Sequence, residues 1–143
     1  MAEDPLTRIA RQLEAAHGKS VVYGVRDEPH PSGMTAGELA EILIRGTRDG
    51  RIPPRDFMRV AADEIEVIAR PRLRAIARKL LRGEDPSREL DKLSDAAREA
   101  VVRAIDTFHT PENAPSTQRA KGRDDPLVDL GNLRDAADAE VVD

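Results

Sequence analysis

Residues 55–81 read RDFMRVAADEIEVIARPRLRAIARKLL, and this stretch decides the fold. Phe57, Val60, Ala61, Ile65, Ile68, Ile76 and Leu80 recur at helical spacing and supply one apolar face. Pro71 lies inside the pattern. Its ring removes an amide donor and crowds the preceding turn, which predicts a kink or break near Ala69-Arg70. Gly83 ends the run, and Asp85-Pro86 restarts it as a cap followed by proline at the first helical position. The next helix spans about Ser87 to Thr107 and is expected to bury Leu90, Leu93, Ala97, Val101 or Val102, and Ile105.

Upstream, Asp4-Pro5 is another cap-plus-proline pair. Leu6, Ile9, Ala10, Leu13 and Ala16 follow at helical spacing, with Gly18 as the stop. Ser20–Val25, SVVYGV, is short and β-branched and reads as a strand. Residues 26–33 hold Pro29, His30 and Pro31 and form a loop. Thr35-Ala-Gly-Glu38 is a capping box, opening a helix expected to bury Leu39, Ile42 and Leu43 and to end at Gly46. Pro53-Pro54 keeps the turn-rich connection after it extended.

Downstream, residues 113–135, NAPSTQRAKGRDDPLVDLGNLRD, carry almost no apolar periodicity. Pro111, Pro115, Pro126, Gly122 and Gly131 punctuate the region, and a loop of this length in a domain is functional or disordered. Pro126-Leu127-Val128 and Leu130 favour a docked, shaped connection over a disordered tail. Residues 136–142 are expected to form a terminal strand.

Composition narrows the function classes. The 143 residues suit one domain, with an N-terminal helix over 1–18, a core over 20–110, and a loop with a C-terminal strand over 111–143. Hydrophobic residues make up 39% and charged residues 35%, and Tyr23, Phe57 and Phe108 are all the aromatics. Such a core is built from Leu, Ile, Val and Ala, and part of the surface is expected to be completed by another subunit. A net charge of −4 gives no global attraction to nucleic acid or anionic lipid. No stretch is apolar enough to span a membrane. The opening MAEDPLTR lacks a secretory pattern, and cysteine is absent, so a cytoplasmic setting without disulfides is expected.

Two stretches resemble the neck or tail-completion proteins of tailed bacteriophages, which act at the head–tail junction. The first holds Ala36-Gly37-Glu38-Leu39-Ala40, Gly46-Thr47, Ile52-Pro53-Pro54-Arg55 and Phe57-Met58-Arg59. The second holds Asn113-Ala114-Pro115-Ser116-Thr117, Lys121-Gly122, Pro126-Leu127-Val128-Asp129 and Gly131-Asn132-Leu133-Arg134-Asp135. They come in the family's order and bracket a helical middle, covering roughly residues 20–143. Asp56 stands where the family has proline, Ile44-Arg45 where it has acidic and aromatic residues, and Leu130 where it has threonine.

The resemblance implies an α+β fold, a homo-oligomeric ring and a place in the virion. Its expected partners are further copies of itself (a hexamer, from the family's place beside a six-fold tail), the head–tail connector or stopper, and the tail terminator or tail tube. It implies assembly in the host bacterial cytoplasm, no cofactor and no enzymatic activity. The interface set it points to is Arg55, Phe57, Arg59, Thr117, Arg119, Lys121, Asp129, Gly131, Leu133 and Arg134. A tail terminator is the nearest alternative.

Arg70, Arg72, Arg74, Arg78, Lys79 and Arg82 are six cations within thirteen residues. They read as a solvated or subunit-facing surface or one in non-specific contact with genomic DNA, which makes a helical DNA-binding protein the second alternative. No aromatics interleave for base stacking. His17, His30 and His109 lack metal-ligand spacing. The acid pairs Asp27-Glu28, Asp63-Glu64, Glu84-Asp85 and Asp124-Asp125 sit in polar contexts, although a hydrolase built on one of them was considered. The expected fold is α+β, with three to four helices on a small antiparallel sheet and long loops for ring assembly.

Overall fold

The computed structural model describes residues 2–108, Arg119 and residues 132–143. The elements run α1 (Pro5–Ala16), β1 (Ser20–Val25), α2 (Ala36–Arg45), α3 (Phe57–Leu81), α4 (Ser87–Thr107), a short α5 (Asn132–Asp135) and β2 (Ala137–Val142). The fold is α+β, with five helices and one two-stranded antiparallel sheet among the described residues.

The helix starts are set by local chemistry. The Asp4 carboxylate accepts from the Thr7 amide at 3.1 Å, with Pro5 at the first helical position. Thr35 and Glu38 form the reciprocal capping box at 3.2 and 2.9 Å. Asp56 accepts from the Arg59 amide at 3.0 Å and caps α3. Asp85 takes both the amide and the hydroxyl of Ser87, at 3.0 and 2.6 Å, so the expected cap lies there although the regular helix begins at Ser87.

Helix α4 is the hub. It packs against α3, both strands and α5. Ala97, Ala100 and Ala104 are buried on it, and Ala61 faces them from α3, so the two axes approach closely. Phe57, Val101, Ile105 and Leu133 are the largest fully buried side chains and fill what the alanines leave. Pairing of Val21 with Val141, Tyr23 with Ala139, and Val25 with Ala137 sets one ribbon face toward this core.

Three expectations are corrected. Of the kink or break expected near Ala69-Arg70, the break is absent: α3 runs unbroken through Pro71. Pro71 and Val67 both lie on the exposed side of the helix, where the missing proline amide leaves the Val67 carbonyl without its intrahelical donor. Val60 is exposed rather than part of the apolar face, while of the alternatives Val101 or Val102 it is Val101 that is fully buried. In α2, Leu39, Ile42 and Leu43 are half-buried, and the buried residues are Ala36 and Ala40.

Candidate functional site

The run of cations on α3 sorts by helical geometry. Arg70, Arg74, Arg78 and Arg82 recur every four residues and are all exposed, so they form one outward stripe. Each step rises about 6 Å along the axis. Arg72 and Lys79 are half-buried and lie off the stripe, and Lys79 reaches Glu84 at 4.0 Å. Arg70 is neutralised by Glu66 one turn earlier, at 2.6 Å. Among the described residues, Arg74, Arg78 and Arg82 have no ion pair. Val67 and Leu81 flank the stripe, each 69% exposed.

Helix α1 lies against α3. Arg8 donates from Nη2 to the Arg82 carbonyl at 3.3 Å, bringing one more guanidinium to the end of the stripe. None of the residues of α1 is buried, and Leu6 and Leu13 on its apolar face are 74% and 48% exposed. The helix is amphipathic by sequence, yet its apolar side is only partly covered by its own chain.

The expected interface set divides in five. Phe57 and Leu133 are core residues with no surface to offer a neighbour. Arg55 is also buried and already engaged, and its amide donates to the Leu43 carbonyl at 2.7 Å. Arg134 is exposed but bound to Asp106 at 3.0 Å, which ties α5 to α4. Arg59 and Arg119 are exposed, while Thr117, Lys121, Asp129 and Gly131 lie outside the described residues. Sequence reading misplaced Phe57 and Arg55 because proline before a helix suits both a docking turn and a chain bent into its own core.

The ribbon carries a surface that sequence reading missed. Val22, Gly24, Asp138 and Glu140 alternate onto the face turned away from α4, with Val22 opposite Glu140 and Gly24 opposite Asp138. An open depression of about 220 Å³ lies there, lined also by Arg26. A Cβ at Gly24 would meet nothing within 4 Å, so the depression is open to solvent at that position. Arg26 is shared between Glu28 at 3.1 Å and Asp138 at 3.6 Å, leaving Glu140 with no ion pair among the described residues. Period-two alternation in both strands was the available signal, but the pairing register was needed to bring the two faces together.

Shifted titrations mark local ties. A hydrogen bond to Asp143 and that residue's negative charge raise Lys19 above the ordinary lysine value, and the same contact lowers Asp143. This pair, at 2.9 Å, clamps the open end of the ribbon. Asp85 is lowered by the Ser87 hydroxyl and then its amide, and Asp49 by the Thr47 hydroxyl and then the Arg51 amide. The neutral acid that a glycosidase mechanism requires would instead need an upward shift. His30 is buried with Nδ1 2.8 Å from the Ser32 hydroxyl and Nε2 unpaired among the described residues. No group of three or more potential metal ligands occurs among the described residues.

Comparison with known families, curated proteins and solved structures finds no match to this chain.

Proposed function

We propose that the chain is a structural virion protein of a tailed bacteriophage, forming a ring in the neck that joins the DNA-filled head to the tail. The observation that carries the reading is the partly uncovered apolar side of α1. Leu6 stays 74% exposed on a helix whose sequence is amphipathic and whose start is firmly capped. An ordered helix with an unsatisfied face suits an element completed by another subunit. The two resembling stretches supply the setting, and heterologous head-to-tail contacts are how a single chain closes a ring. The role is one of assembly rather than catalysis.

Electron microscopy of lysates from a phage carrying a stop codon in this gene tests the proposal. Filled heads beside complete, unattached tails are the expected outcome. Tails of abnormal length would move the assignment to a tail terminator. Normal joined particles would overturn it.

A further inference from the structure

We propose that this chain associates head-to-tail with a second copy, the arginine stripe of α3 on one protomer seating in the acidic hollow of the ribbon on the next. The inference deepens the ring reading and rests on it for the number of copies. The identity of the occupant follows from charge and shape within the chain itself.

Between Arg70 and Arg82 there are six cations and no carboxylate. The ribbon and its flanks, residues 19–28 and 135–143, hold two cations, Lys19 and Arg26, and six carboxylates. Both cations are already bound to carboxylates of the ribbon region. One chain of net charge −4 therefore carries a basic ridge and, on the ribbon, a hollow whose charged lining is Asp138, Glu140 and the already engaged Arg26. Like faces repel each other, so a symmetric contact is disfavoured at both surfaces and a basic-to-acidic one is favoured at each.

Shape agrees with charge. The stripe is the convex outer side of a helix, and the ribbon offers an open, shallow depression where Gly24 carries no side chain opposite Asp138. Each surface also offers apolar contact. Leu81 and Val67 flank the arginines, and Val22 is 51% exposed at the rim of the hollow. Arg74, Arg78 and Arg82 have no carboxylate partner, and Glu140 no cation, among the described residues. A heterologous contact leaves a free stripe at one end and a free trough at the other, which is the condition for closing a ring. Duplex DNA is the competing occupant of the stripe, but it would leave the trough unfilled.

Sedimentation velocity of the full chain at about 50 mM and about 500 mM salt reads the outcome without any substitution, since screening shortens with ionic strength. Association at low salt and dissociation at high salt are expected. Two variants then assign the faces. R74E/R78E alters exposed side chains that carry no ion pair among the described residues. Gly24→Lys fills the hollow with a cation where a Cβ meets no atom within 4 Å. Each should weaken self-association at least about tenfold while circular dichroism stays unchanged.

Mixed together, the two variants should associate one to one where neither does alone, because each keeps the face that the other has lost. Wild type that stays monomeric at both salts, or variants that associate as wild type does, would overturn the proposal. So would loss of duplex DNA binding by R74E/R78E with self-association intact. A monomeric protein whose stop-codon phage still accumulates unjoined heads and tails would remove this docking mode and leave the neck assignment standing. Salt-sensitive association with normal phage particles would do the reverse.

Discussion

Replacing Phe57 with alanine tests whether the first residue of α3 belongs to the core or to an interface. Phe57 has 0% exposure and sits in the cluster with Ala40, Ala61, Ile105 and Leu133. Withdrawing a phenyl ring from an apolar site costs about 1.5–3 kcal/mol in transfer alone. The cavity adds to this, and complete truncations of buried aromatics reach about 3–5 kcal/mol. Collapse around the hole is limited here, because Ala40 and Ala61 have no side chain beyond Cβ to swing in and Ile105 on α4 is itself packed at 1% exposure. The upper part of that range is therefore expected. Against a total stability of about 5–15 kcal/mol, the loss is a large fraction.

Urea unfolding of both proteins, followed by far-ultraviolet circular dichroism, measures the difference directly. Phe57→Leu serves as the control and should cost about 1–2 kcal/mol, since most of the volume remains. A loss below about 1 kcal/mol for Phe57→Ala would refute the packing argument, placing the ring where solvent or a partner could replace its contacts.

Gly46→Ala should destabilise by about 1–3 kcal/mol from left-handed strain, and further because the new Cβ would stand 2.7 Å from the Ile52 carbonyl oxygen and 2.8 Å from the Pro54 nitrogen. Gly50→Ala, at the same φ of 71° with nothing within 4 Å, isolates the strain; equal urea midpoints for the two variants would rule out the clash. Asp85 titrates below its ordinary value of 3.8 when folded, so the stability it adds is complete above that value and disappears as pH falls through the lowered one. Asp85→Asn keeps an oxygen for Ser87 but removes the charge, so its urea midpoint should fall less than that of wild type between about pH 5 and pH 2. Parallel acid limbs would exclude Asp85 as a contributor.

Local chemistry was legible in the sequence wherever it is decided within a few residues. Asp4-Pro5, Thr35 with Glu38, Asp56, and the glycines after α1, α2 and α3 fixed the element boundaries, because capping and stopping depend on near neighbours. Burial was less legible. Val60 and Ala61 are adjacent and both apolar, yet only contact with α4 decides which one turns inward. Arg55 is the sharper case, since a cation beside two prolines resembles a surface group until the fold folds it under α2. For the candidate surfaces, the four-residue repeat Arg70, Arg74, Arg78, Arg82 could be counted in advance. The ribbon hollow could not, because Gly24 and Asp138 meet only through pairing of segments more than a hundred residues apart.

The alanines of α4 connect this core to the proposed assembly. Ala97, Ala100 and Ala104 let α3 come close, so the interior is thin and is closed by one phenyl ring and a few aliphatic side chains. A thin core buries one face of each element and cannot reach a second. The outward sides of α1, α3 and the ribbon therefore remain at the surface, whatever their composition. On α3 that side became basic, on the ribbon acidic, and on α1 apolar. Three differing surfaces on one small chain suit directional contacts between copies better than a single symmetric patch would, because each can be satisfied only by a surface of another kind.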